Sequence, residues 1–206
     1  MARPHTPLLS EARILDAVRR LSADGDFTLA QLARELDVRV SSIYHHVPSK
    51  GAIVHLLRRD WIQRLREELG DSLGRERLSL IVRSYAVFAA EIPALVPYLI
   101  TEPFQDDELT WLYEDLAATL HSLGIPDDRV LPLIGTIDAI VIGAAFDLLA
   151  PPFQAGEVSA TAHPRLSAAL ATLPEDVDRR AHLLSTLDDL LAGLLRDAPP
   201  TSDPTL

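Results

Sequence analysis

The sequence predicts an all-α protein: a small N-terminal three-helix domain with a helix-turn-helix, then a larger helical domain, about nine to ten helices in total. Three observations predict it. Apolar residues recur at three- and four-residue spacing through most of the chain, no useful length alternates as a strand would, and joints containing Pro or Gly recur at helix-sized intervals.

The elements follow in order. Ile14, Leu15, Val18 and Leu21 share one face of a first helix, with Ser10 as its cap and Asp24-Gly25-Asp26 as its end. Thr28 caps a second helix, and Gln31 three residues on completes a capping box. Leu29, Leu32, Ala33 and Leu36 form its apolar face. A third helix covers about Val40 to His46 and stops at Val47-Pro48, because the residue before proline disfavours the helical region. Ser49 caps a long fourth helix running to about Leu69. Beyond Gly70, amphipathic segments lie near 75–95, 107–123, 128–150, 164–173 and 176–196. Leu123-Gly124-Ile125-Pro126 and Ala150-Pro151-Pro152 are two of the joints. Residues 151–163 read as a loop, and Asp197 onward, with three prolines, reads as a frayed tail.

Composition narrows the class. Hydrophobic content of 48% with 24% charged residues is that of a soluble globular chain. Cysteine is absent, which excludes disulfides and thiolate metal sites. No apolar stretch follows a basic start, and Val130 to Phe146, the most apolar segment, is broken by Pro132 and Asp138 and falls short of a membrane span. A cytoplasmic protein with no membrane partner is expected. The net charge of -11 hides an asymmetry. Residues 1–66 hold eleven Lys and Arg against seven Asp and Glu, a balance of +4, whereas residues 67–206 hold eight against 23, a balance of -15. A polyanion would be accepted only by the first block.

That block contains the helix-turn-helix, at about residues 28–47. In such a motif the second helix enters the major groove while the first crosses the backbone. Apolar anchors must lie inside and short polar groups outside. Leu32, Leu36, Val38 and Ile43 serve as anchors; Arg39, Ser41, Ser42, His45 and His46 are the outward candidates. Asp37 stands where the turn asks for a left-handed backbone, which glycine prefers and Asp tolerates. The pair His45-His46 is a weak metal candidate, since adjacent helical side chains point about 100° apart.

Thr28-Leu29-x-x-Leu32-Ala33-x-x-Leu36-x-Val38, followed by Ser42-Ile43-Tyr44-x-His46-Val47-x-x-Lys50, resembles the DNA-binding domain of TetR/AcrR-type bacterial transcriptional regulators. The Tyr-x-His-x-x-x-Lys ending is the specific part. The resemblance covers about residues 8–66 and continues faintly into the C-terminal half, where His163-Pro164 and Leu184 to Leu194 look like the last two helices of the tetracycline-repressor branch. It implies a DNA-binding domain over residues 5–65, a regulatory and dimerisation domain over 66–198 and a flexible tail over 199–206. It also implies a repressor that binds a palindromic operator as a homodimer and responds to a small hydrophobic or amphipathic effector. Tyr44, Lys50, Thr28 and His46 would lie at the DNA backbone, and Arg39, Ser41, Ser42 and His45 at base edges, where Arg favours guanine.

For the second domain, Gly135, Ala139 and Gly143 form a row at i, i+4, i+8 that would let another helix approach, and Leu184, Leu187, Leu191 and Leu194 form a stripe widened by Leu183 and Leu190. The resemblance assigns both to a four-helix dimer bundle; ordinary intrachain core is the alternative. Effector-pocket candidates are Trp61, Tyr85, Phe88, Tyr98, Thr101, Phe104, Trp111, Phe146 and His121. Asp138 interrupts a strongly apolar helix, so it meets a cationic ligand, a partner across the dimer, or solvent. The tetracycline repressor holds magnesium with a histidine at a bend that aligns with Tyr98 to Pro103. Tyr98 and Glu102 replace its histidine and arginine here, while Thr101 and Pro103 remain, so no magnesium or other cofactor is implied. An enzyme with an accessory helix-turn-helix, or a helical interaction module that does not bind DNA, are the rival readings. No nucleophile–base pairing, phosphate loop or metal spacing favours the enzyme.

Overall fold

The computed structural model describes residues 9–101, 107–149, 158–172 and 178–194. Among them all regular structure is helical, as expected: α1 (Glu11–Ala23), α2 (Leu29–Glu35), α3 (Val40–His46), α4 (Lys50–Leu69), α5 (Gly74–Glu91), a 3₁₀ turn (Pro93–Leu95), α6 (Val96–Thr101), α7 (Asp107–Ser122), α8 (Asp127–Leu149), α9 (Pro164–Leu170) and α10 (Arg179–Leu194).

The caps explain the first boundaries. Ser10 accepts from the Arg13 N–H, Ser49 accepts from the Ala52 N–H, and the Thr28–Gln31 capping box closes in both directions. Between α2 and α3 the Val38 N–H reaches the Ala33 carbonyl and the Asp37 N–H reaches that of Arg34. That is a Schellman turn, which puts its C′ residue in the left-handed region. Asp37 occupies C′ with φ 53°. The same motif ends α7, with Ile125 bonded to Leu120, Gly124 bonded to His121, and Gly124 at φ 81°.

Four helices close an apolar core at the N-terminus. Ile14 and Val18 of α1, Leu32 of α2, Ile43 of α3, and Ile53 and Leu57 of α4 are wholly buried. Then α4 continues into the body, where α5, α7 and α8 pack around it and one another. The N-terminal unit is tied to that body at two points the sequence does not reveal. Arg19 of α1 pairs with Asp60 of α4 at 2.6 Å and lies 3.7 Å from Glu91 at the end of α5. The buried Ser22 hydroxyl accepts from the Ala94 N–H in the 3₁₀ turn. A third tie lies inside the body, where Arg77 meets Asp115 through two hydrogen bonds of 3.0 and 2.6 Å and fastens the start of α5 to α7.

Two segments differ from the sequence reading. The stretch expected as one segment near 75–95 ends as helix at Glu91, and the chain turns through Pro93–Leu95 into α6. Proline lacks the N–H that would have continued the ladder, so the turn tightens there. The segment near 128–150 is helical as expected, but α8 runs 23 residues through Pro132 and Asp138 and is not the short apolar run expected there. Pro132 lies near its N-terminal end and removes one internal bond, and the Asp138 carboxylate accepts one hydrogen bond from the Tyr113 hydroxyl beside it. Among the described residues α8 is long and apolar enough to cross a membrane. Here Val130, Ile134, Ile137, Val141 and Ala145 face the core, and the opposite side exposes Leu131, Gly135, Ala139, Gly143 and Phe146.

Candidate nucleic-acid interface and buried cavity

On α3, Ile43 is the one wholly inward residue, and its burial turns Arg39, Ser41, Tyr44, His45 and His46 outward; Ser42 is half-buried. Tyr44 is 53% exposed, which is unusual for an aromatic with no contact to satisfy. Arg39 is the N-cap of α3 and is exposed. The Thr28 hydroxyl is occupied by the capping box, 2.9 Å from Gln31 Oε1.

Lys50 is placed less simply. It begins α4 beside the motif, and its ammonium pairs with Asp26 in the loop before α2. The same nitrogen lies 5.3 Å from the Phe27 ring centre and 5.7 Å from that of Tyr98, at a range where cation–π attraction operates. The Lys50 ammonium holds the Asp26 carboxyl below the usual carboxylate range. Tyr98 belongs to α6, so a residue of the body touches the expected phosphate contact.

Behind the motif lies a cavity of about 200 Å³ enclosed by α4, α5, α6, α7 and α8. Trp61, Tyr85 and Phe88 build an aromatic wall: Trp61 stacks on Phe88 at 4.7 Å and 3°, and on Tyr85 at 5.3 Å and 25°. The Trp61 indole N–H donates to the Ser84 hydroxyl at 2.9 Å. Aliphatic side chains such as Val82, Leu112 and Ile142 line most of the rest. The polar groups are Arg58, Asp138, Tyr85 and Tyr113. Arg58 is only 4% exposed. Tyr113 donates its hydroxyl to Asp138 Oδ2 at 2.9 Å. Burial raises the pKa of both phenols, with the Asp138 charge adding to the effect and the Arg58 charge opposing it. Burial likewise pushes the Asp138 carboxyl up, and the Tyr113 hydrogen bond opposes that.

Of the pocket candidates, Trp61, Tyr85, Phe88 and Asp138 meet here. The others do not. Tyr98 is turned toward Lys50, the exposed Thr101 bonds back to the Pro97 carbonyl, and Trp111 packs under the Arg66 guanidinium at 4.2 Å. His121 is paired at the surface with Asp127, Phe146 is exposed, and Phe104 lies outside the described residues. Aromatic type alone cannot choose a face: Tyr98 and Trp111 meet the Lys50 and Arg66 ends of α4 rather than the Arg58–Trp61 stretch that lines the cavity. Arg58 and Tyr113 were missed, although a signal existed. Arg58 falls on the apolar stripe Val54, Leu57, Trp61, Leu65, and Tyr113 on Leu109, Leu112, Leu116.

The expected dimer surfaces divide. Gly135, Ala139 and Gly143 are exposed, and among the described residues nothing lies within 4 Å of where a side chain would begin at either glycine. Leu187 and Leu191 instead turn into the chain's own core against Val82 and Ile137, and Leu184 is half-buried against it. Seven-residue geometry puts Leu184 and Leu191 on one face, and α5 takes that face. Leu190 is exposed, while the side chains of Leu183 and Leu194 lie outside the described set. Among the described residues no three potential ligands converge as a metal site, at His45-His46 or elsewhere.

No family model matches the chain. In sequence it is similar to the HTH-type transcriptional repressor DrrR1 of Streptomyces coeruleorubidus, 27% identical over 150 residues that cover 70% of this chain and 55% of that one. The chain thus spans about half the length of the curated relative it matches. In structure it is similar to a possible TetR family transcriptional regulator from Streptomyces coelicolor A3(2), with a TM-score of 0.70 and 19% identity over 90% of this chain and 98% of the other. The TetR family protein ActR of Streptomyces coelicolor, in complex with actinorhodin, gives a TM-score of 0.63 and 21% identity over 94% and 98% of the two chains. A TetR variant from Acinetobacter baumannii AYE in complex with minocycline gives 0.63 and 19% over 96% and 99%. The motif from Thr28 to Lys50, the helix order and these likenesses agree, and the fold of this chain is that of the TetR/AcrR-family transcriptional regulators.

Proposed function

We propose that this chain is a DNA-binding transcriptional regulator, a repressor that holds a palindromic operator as a homodimer and releases it when a small molecule fills the cavity. The observation that carries the reading is the outward set on α3. Arg39, Ser41, Tyr44 and His45 stand exposed on a short helix whose inner face is locked by Ile43. That is what major-groove reading requires. Tyr44, Thr28, His46 and Lys50 serve the phosphates, and Arg39, Ser41, Ser42 and His45 serve the bases. On this reading residues 5–65 are the DNA-binding domain and residues 66–198 the regulatory and dimerising domain.

The exposed strip of Leu131, Gly135, Ala139, Gly143 and Phe146 on α8 supports the dimer, because a helix of small residues admits a second copy closely. Coupling has a short route. Leu99 and Ile100 of α6 line the cavity while their neighbour Tyr98 touches Lys50, and α4 carries both Lys50 and the wall residues Arg58 and Trp61. A ligand that displaces α6 alters the setting of Lys50, and it changes DNA affinity only as far as it prefers one arrangement. Actinorhodin and minocycline in the related structures support a cavity effector as a class of event.

Electrophoretic mobility shift against the DNA upstream of the chain's own gene tests the reading. A sequence-specific, salt-sensitive complex is expected, and Lys50→Ala should lower the salt slope by about one unit. Absence of any specific complex sinks the proposal for that operator. Sedimentation as a monomer at micromolar concentration sinks the homodimer.

A further inference from the structure

The polar end of the cavity holds a carboxylate whose needs are incompletely met. Asp138 sits midway along α8, half-buried on the cavity wall. Among the described residues its one hydrogen bond comes from the Tyr113 hydroxyl. A carboxylate offers about four acceptor positions, so a single phenol leaves room for another donor. Removed from water, it also calls for a counter-charge. Arg58 opens onto the same cavity from α4 but is engaged within the protein, and its charge acts on the two phenols. The wall beside Asp138 is aromatic, and the π faces of Tyr85, Trp61 and Phe88 favour a positive group.

Size narrows the choice further. At about 200 Å³ the cavity falls below the roughly 300–1,000 Å³ usual for drug-sized ligands, which favours a body of two fused rings over a larger one.

We propose that the cavity takes a small amphiphilic monocation: a flat two-ring apolar body against Trp61, Tyr85 and Phe88, with one ammonium group directed at Asp138. The proposal rests on the effector reading above and gives that effector a chemical class. The free carboxylate oxygen accepts from the ammonium, Tyr113 continues to donate to the other, and Arg58 stays with its protein partner. Neutral ligands of the same shape fill the aromatic wall and can give the carboxylate a hydroxyl hydrogen bond, but they bring it no counter-charge.

Isothermal titration of the full chain with three matched probes tests this: 1-naphthylmethylamine as the cation, 1-naphthalenemethanol as the neutral isostere and 1-naphthoate as the anion. The cation should bind about tenfold more tightly than the alcohol, the gain expected of a hydrogen bond to a charged group. Asp138→Asn should bring that ratio to about one. Tyr113→Phe, which keeps the carboxylate, should retain the preference, so a poorly folded Asp138→Asn still leaves a readout. Equal binding of amine and alcohol, tighter binding of naphthoate, a ratio that survives Asp138→Asn, or no binding of any probe would each overturn the proposal. Mobility shifts on the same preparations separate the two readings. Specific DNA binding without cation preference removes only the ligand class; cation preference without a DNA complex removes only the regulator.

Discussion

In the helix-turn-helix the wholly buried residues are Leu32, Ile43 and their aliphatic neighbours, while Arg39, Ser41, Tyr44 and His45 stand in solvent. In the body the order is inverted: Arg58, Tyr85 and Asp138 lie inside among the aliphatics, and the face left exposed on α8 is apolar. On the proposed function, one unit would work with what its core leaves outside, and the other with the space its core leaves unfilled. The difference predicts that mutations at function-bearing positions separate from stability in the first unit and not in the second.

The largest effect should come from the body. Trp61 stacks on two rings, bonds to Ser84 and walls the cavity, so Trp61→Ala should cost about 3–5 kcal/mol of stability. Urea denaturation followed by circular dichroism measures it. A loss below about 1 kcal/mol would mean that the aromatic wall contributes little packing, and the contrast between the units would weaken.

Arg39→Ala is the matching test in the motif. Its side chain caps nothing and is exposed, so stability should stay within about 0.5 kcal/mol. Operator variants should nonetheless change rank by roughly 1–3 kcal/mol at particular base pairs. Uniform weakening across all variants would remove Arg39 from the base readers and leave it a phosphate contact.

This contrast also explains what was legible in the sequence. Capping residues, the Asp37 turn and the α3 boundary depend on neighbours within about five residues, so Ser10, Thr28, Gln31, Ser49 and Pro48 sufficed to place them. The cavity depends on which faces of α4, α5, α7 and α8 meet, and no local pattern carries that. Trp61, Tyr85, Phe88 and Asp138 were reachable as unusual residues on apolar stripes; Tyr98, Trp111 and His121 looked equally unusual and lie elsewhere. The leucines of α10 show the same limit, since a stripe fits the chain's own α5 as well as a second copy. Arg77–Asp115, 38 residues apart, had no sequence signal at all.

Asp138 gives a smaller effect with a definite sign. Its folded pKa lies above the unfolded value, because burial penalises the charged form. The stability it contributes is therefore full below about pH 3.9, where the unfolded chain is also protonated, and is lost as pH rises through the folded pKa. Asp138→Asn lacks this dependence. Relative to the wild type it should become steadily more stable from acid to neutral pH in parallel urea titrations. A constant difference across that range would show that the carboxyl is hydrated rather than confined.

The smallest effect belongs to Asp37, where strain and charge coincide at the turn before the recognition helix. Its φ of 53° is one that non-glycine residues seldom adopt, and the Schellman bonds on either side of it hold it there. Asp37→Gly removes the Cβ conflict and should raise stability by roughly 0.5–1 kcal/mol, read as a higher Tm. Glycine also deletes a negative charge close to the DNA-facing helix, so tighter operator binding by that variant would not identify the cause. Asp37→Asn separates the two, since it drops the charge and keeps the Cβ. If Asn binds DNA as tightly as Gly while only Gly raises Tm, the turn stores a little strain in the fold and the acidic side chain independently moderates affinity. If both variants raise Tm equally, the effect at this turn is relief of a negative charge at the C-terminal end of α2 rather than of backbone geometry.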